Sequence, residues 1–198
     1  MGHPPVMTWT VRRADTGDVR ELARINDESW RHGARGTVPD VLLDRKLPES
    51  HLNGWRRWVR LPDPDGIFVA EDGDGRIGSY CVVGEARDED DMHADLRTGE
   101  LVSVHADPSC HGTGAGRTVH DAALDHLTEQ GFRYAVLWVL KDDWATRSFY
   151  AHHGWRHDGA SKEHVVGEHR LPLVRYGRFL PARRRNRPPS GWRFPAFG

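Results

Sequence analysis

The apolar positions along the chain change period several times, and each change predicts an element. In residues 8–14 Trp9 and Val11 alternate with polar neighbours, which predicts a short strand. The period then becomes helical: Val19, Leu22, Ala23, Asn26 and Trp30 share one face, Asn26 is the one polar break, and Asp15 or Thr16 is placed to cap it. Gly33, Gly36, Pro39 and Pro48 leave room for one short helical piece, and 51–60 predicts another helix before the Pro62 to Gly66 turn. Two apolar runs within 66–86 are joined by Asp72-Gly73-Asp74-Gly75, a hairpin signal because these residues tolerate positive φ. A strand over 99–107 and a helix ending at Gly131 follow, the helix with Val119, Ala123 and Leu127 as its buried line. Residues 133–140 are almost continuously apolar, as in a strand covered on both faces. A short helix over 144–154 and two strands, 155–166 and 170–180, complete the pattern. This order predicts an α/β architecture, a mixed sheet with helices on both faces.

Composition narrows the picture. With 198 residues, 37% of them hydrophobic and 29% charged, the chain suits one globular domain, expected over 8–180. Residues 1–7 read as an N-terminal extension and 181–198 as a basic tail rich in proline and arginine. No apolar run approaches the roughly 18 residues of a membrane span, and the start lacks a secretory pattern. Cys81 and Cys110 are too few for a disulfide framework, so the reading is a cytoplasmic protein without a membrane partner. A formal net charge of −1 argues against a nucleic-acid partner. The acidic stretch 85–95 and the arginine-rich tail read as solvated loop and tail. The 13 histidines show no zinc-type spacing, so no metal is expected.

The chemistry concentrates at "DPSCHGTGAG", where Pro108 ends a strand and Gly112, Gly114 and Gly116 precede an amphipathic helix. Bare backbone N–H groups at a helix amino end form a seat for an anion such as a pyrophosphate. The dinucleotide pattern GxGxxG would need glycine at Arg117, and the Walker pattern would need a glycine-lysine pair followed by Ser or Thr. Neither is present.

The segment from Val104 to Gly116 resembles the diagnostic segment of the GNAT superfamily of acyl-CoA-dependent N-acetyltransferases, V-x-P followed by x-x-(Q/R)-x-x-G-x-(G/A), with Pro108, Gly114 and Gly116 in place. It departs at His111, where Gln or Arg is usual, and at Ala106, where Val is usual. "DWATRSFYAHHGW" resembles the second family element, N-x-x-A-x-x-F-Y-x-x-x-G-F, with Asp143 for Asn and Thr146 for Ala. The resemblance implies a mostly antiparallel sheet of six or seven strands splayed around a coenzyme A cleft. It also implies acetyl-CoA as acyl donor, moved to an amine in a ternary complex. His111, Gly112, Thr113, Gly114, Ala115, Gly116 and Arg117 would hold the pyrophosphate, and Val104, His105 and Ala106 the pantetheine arm. Asp143, Thr146 and Phe149 would complete the cofactor side. Tyr150 would be the general acid aimed at the sulfur, with Phe149 packed inward.

Glu100, at the start of the strand, is the first choice of base, where some family members carry a glutamate that deprotonates the amine. His105 is a weaker alternative, because strict alternation along a strand places it on the face opposite Glu100 and Val104. Trp30, Trp55 and Trp58 fall in the helical region that lines the acceptor entrance in the family, and read here as core aromatics. Exposed Arg31 and Arg35 would favour an acidic acceptor. Three readings follow: acetylation of a small-molecule amine, which is preferred, acetylation of a protein or peptide amine, or a module that binds acyl-CoA without turnover. The acceptor, the acyl chain length and the oligomeric state are open, with a homodimer among the options.

Overall fold

A computed structural model describes residues 8–44 and 50–182. In chain order the elements are β1 (Thr10–Arg13), α1 (Val19–Gly33), α2 (Asp40–Leu43), α3 (Ser50–Trp58), β2 (Gly66–Glu71), β3 (Ile77–Glu85) and β4 (Thr98–Ala106). Then come α4 (Ala115–Glu129), β5 (Tyr134–Leu140), α5 (Trp144–His152), β6 (Arg156–Val166) and β7 (His169–Phe179). The strands form one seven-stranded sheet in the order β1-β2-β3-β4-β5-β7-β6. Every pairing is antiparallel except β4 with β5.

Local chemistry explains the turns. Between β2 and β3, Gly75 takes a φ of +80°, and the Asp72 carboxylate accepts the N–H groups of Asp74 and Arg76 at 3.0 and 2.9 Å. The start of α1 departs from expectation, for neither Asp15 nor Thr16 caps it. Asp18 stands at the N-cap and its carboxylate is taken by the Arg12 guanidinium at 2.7 and 2.9 Å. Asn26, the polar break in the apolar stripe, accepts the hydroxyl of fully buried Tyr80 at 2.8 Å.

The sheet has a core on each face. On one, Val119, Ala123 and Leu127 of α4 are fully buried against Cys81, Val83, Leu101 and Leu137, with Tyr150 and Trp155 beside them. At Gly99 a side chain would meet Leu127 Cδ2 at 2.8 Å, so α4 presses directly on the base of β4. On the other face Val19, Leu22 and Ile25 of α1 and Trp55 of α3 cover Val69, Tyr80 and Val82. The acidic stretch 85–95 is not wholly solvated. Asp91 is buried, accepting the Trp138 indole N–H at 3.0 Å and the Arg175 guanidinium at 2.9 Å.

Candidate active site

The site begins where the sheet opens. Strands β4 and β5 pair only at Thr98–Tyr134, Gly99–Ala135 and Glu100–Val136. Beyond Glu100 each keeps its outer neighbour, β4 paired with β3 as far as Ala106 and β5 with β7 as far as Leu140, and the gap between them is a cleft. Glu100 sits at the fork.

Just above the fork β4 carries a bulge. Ser103 faces Val82 and Leu101 faces Val83, so Val102 is an extra residue with no partner across β3. This corrects the expectation for His105. One inserted residue inverts the later alternation, putting His105 on the same face as Glu100 and Val104 on the opposite face, against the α4 core. The His105 imidazole bonds Ser29 Oγ at 3.0 Å through Nδ1 and lies against Trp30 and Tyr80. Burial lowers its pKa to about 4, which leaves it neutral and a poor base near pH 7.

The cleft edge of β4 presents main-chain groups. Asp107 N–H donates across to Gly78 O at 2.9 Å. Antiparallel alternation then turns His105 back to β3, and Val104 and Ala106 direct their N–H and C=O groups into the cleft.

At the far end the chain passes a short turn, Pro108–Cys110, and enters α4. Gly112 and Gly114 have φ of +75° and +93°, a region unfavourable for other residues. Gly116 has no such φ, and a side chain there would meet nothing within 4 Å. The first bond of α4 is Thr118 N–H to Gly114 O at 2.9 Å, so the N–H groups of Ala115, Gly116 and Arg117 lie free at its end, with no side-chain cap. Thr113 Oγ1 donates to Cys110 O at 2.7 Å, and Trp9 Nε1 donates to Thr113 O at 3.2 Å, pinning the loop to the sheet. His111 is exposed, its ring 5.3 Å from that of His32, and exposed Arg117 lies 3.5 Å from Asp121.

Asp107 anchors this loop. Its buried carboxylate accepts the Ser109 N–H at 2.8 Å, Arg24 at 2.6 Å and Arg76 at 3.3 Å. Burial would raise its pKa, but the hydrogen bonds from Ser109 and Arg24 outweigh that and hold it well below the usual carboxylate range. An Asp-Pro pair signals a turn in sequence, but its arginine partners, distant along the chain, do not show there.

Helix α5 borders the cleft from the β5 side. Asp143 caps it, Oδ1 accepting the Thr146 N–H at 3.0 Å. Tyr150 is buried, 6.1 Å from Trp155 between ring centroids, and half-buried Phe149 stacks on His153 at 4.2 Å. Of the pair, Tyr150 is the deeper, and Phe149, expected to pack inward, is half-buried against the same core. Burial raises its pKa, so the phenol stays protonated at neutral pH.

Glu100 also closes one side of a cavity of about 160 Å³ under α3, shared with Trp58, Leu61, Val82 and Val102. Burial, followed by repulsion from Asp91, raises its pKa, as suits a base working near neutrality. Arg31 and Arg35 are engaged by acids of their own segment, Arg31 near Asp27 and Arg35 with Asp40 and Asp44.

The model of the acetyltransferase (GNAT) family matches residues 21–155. The chain is 28% identical over 143 residues to an uncharacterized N-acetyltransferase of Archaeoglobus fulgidus, covering 71% of this chain and 88% of that one. It is 27% identical over 161 residues to the mycothiol acetyltransferase of a Nocardioides species, covering 78% of this chain and 51% of that one. The solved structure of yncA from Salmonella typhimurium with its cofactor acetyl-CoA superposes with a TM-score of 0.66 at 21% identity, over 92% of this chain and 99% of that one, a likeness of fold. The matched segment contains the fork at Glu100, the glycine loop and all of α5, and on that match the chain belongs to the acetyltransferase (GNAT) family of acetyl-CoA-dependent enzymes.

Proposed function

We propose that the protein moves the acetyl group of acetyl-CoA to a primary amine of a small molecule by direct attack within a ternary complex. One observation carries the reading: a carboxylate stands at the fork of the β4–β5 cleft, and a helix end with free N–H groups stands at the cleft's other limit. Bound acetyl-CoA supplies the thioester carbonyl that the amine attacks. The N–H groups of Ala115, Gly116 and Arg117 suit its pyrophosphate, and the uncovered backbone over Gly112, Gly114 and Gly116 leaves room for it. Gly116 supports this most directly, since neither its φ nor any contact within the protein calls for glycine, and glycine in a helix costs about 1 kcal/mol relative to alanine. Val104 and Ala106 offer main-chain partners to the pantetheine amides and an N–H toward the carbonyl oxygen.

Glu100 takes the proton of the incoming ammonium, leaving a neutral amine. As the N–C bond forms and the C–S bond breaks, the Tyr150 hydroxyl gives its proton to the departing sulfur, and the second proton that the nitrogen sheds on becoming an amide restores the phenol through solvent. Thiol release during incubation with acetyl-CoA and primary amines tests the reading. Glu100→Gln should lower turnover about 10² to 10⁴-fold at pH 7 and abolish the acid limb of the pH profile. Unchanged turnover and an unchanged limb would remove Glu100 from the mechanism.

A further inference from the structure

The cavity beside Glu100 bears on the acceptor, an inference that rests on the acetyl-transfer reading above. Its walls are mainly apolar, with Trp58 at the end of α3 and Leu61 just after it, Ile67 and Val82 beneath, and Val102 at the bulge. Val102 is 42% exposed on a central strand, apolar surface that none of the described elements covers. The volume, about 160 Å³, is close to that of an apolar cavity of roughly 150 Å³ that binds benzene.

Charge restricts the occupant further. Of the acids that line the cavity, Asp65 is paired with Arg87 at 2.8 Å and Glu85 with Arg97 at 3.1 Å. Glu100 alone among them has no ion-pair partner among the described residues. The cavity therefore offers one uncompensated negative charge and no anchor for a second ammonium. Among the described residues it offers no seat for a carboxylate either, because the one cation that lines it, Arg87, is paired with Asp65, Arg35 is paired with Asp40 and Asp44, and Arg31 lies 3.8 Å from Asp27.

We propose that the acceptor is a small primary amine with a single positive charge and an apolar body about the size of a benzene ring. Its nitrogen meets Glu100 at the fork and its body lies against Trp58 and Val102. Polyamines and acidic amino acids are disfavoured, since among the described residues that line the cavity there is no second unpaired carboxylate for the former and no unpaired cation for the latter.

The test titrates 2-phenylethylamine, spermidine and glutamate calorimetrically into the protein saturated with coenzyme A, and follows thiol release from acetyl-CoA with the same amines. Phenylethylamine should bind at least about tenfold more tightly than the other two. Val102→Trp, which fills the cavity, should weaken phenylethylamine at least about tenfold and leave acetyl-CoA binding within about twofold. Trp58→Ala, which enlarges the cavity, should shift preference toward 4-phenylbutylamine and keeps the proposal testable if Val102→Trp fails to fold. Equal or tighter binding of spermidine or glutamate, no binding of any amine, or indifference to both substitutions would overturn the proposal. Cavity-dependent binding of phenylethylamine without thiol release would instead overturn the acetyl-transfer reading, and fastest thiol release with spermidine would sink the proposal alone.

Discussion

His120 lies fully buried within α4, and its hydrogen bonds define its protonation. Nε2 accepts the Trp155 indole N–H at 2.9 Å, and since an indole nitrogen only donates, the ring proton resides on Nδ1, 2.9 Å from Asp121 Oδ1. Protonating Nε2 would set two hydrogens against each other in the core. Burial accordingly lowers His120 from 6.5 to about 4, and burial does the same to His105. Between those values the unfolded chain binds protons that the folded protein does not. Stability is therefore full above pH 6.5 and is lost as pH falls toward 4. Each histidine accounts for roughly 3 kcal/mol over that interval. Glu100, whose pKa is raised, works in the opposite sense, while Asp107 and Asp18, whose pKa values are lowered, matter only below about 3.8. Urea unfolding followed by tryptophan fluorescence from pH 7 to 4.5 reads the slope. His120→Gln keeps an acceptor for Trp155 and removes the titration, so its slope should fall to about half that of the parent. An identical slope in the variant, or a parent whose stability is flat across the interval, would refute the assignment.

Two further outcomes follow from the site. Tyr150→Phe should lower kcat in the thiol-release assay about 10² to 10⁴-fold and leave acetyl-CoA affinity within severalfold. Asp107→Ala removes the shared partner of Arg24 and Arg76 together with the Ser109 cap; it should cost about 2 kcal/mol in urea unfolding and weaken acetyl-CoA binding through the loosened loop.

What the sequence discloses is the part governed by short-range pattern. Val119, Ala123 and Leu127 announce the buried line of α4 because helical period alone places them together, and the glycine loop is legible because its backbone requirements are local. What it conceals depends on pairing across the sheet. The extra residue at Val102 leaves no mark on the apolar pattern of β4, yet it moves His105 to the face of Glu100 and opens apolar wall to the cavity. Asn26 looks like a flaw in a stripe until Tyr80, remote in sequence, is found donating to it. Asp91 looks like one more solvated acid, and only the approach of Trp138 and Arg175 from other strands explains its burial. The relation of Phe149 to Tyr150 likewise depends on what each meets. Helical geometry separates the two side chains, but packing on Trp155 and His153 decides their depth.

On the proposed function, the amino end of α4 holds the pyrophosphate of acetyl-CoA and the thioester reaches the fork at Glu100. Calorimetric titration of acetyl-CoA into the purified protein tests it most directly, with thermal melting alongside. Saturable one-to-one binding with a Kd in the micromolar range and a matching rise in Tm are expected. No heat and no stabilisation at ~1 mM ligand would contradict it.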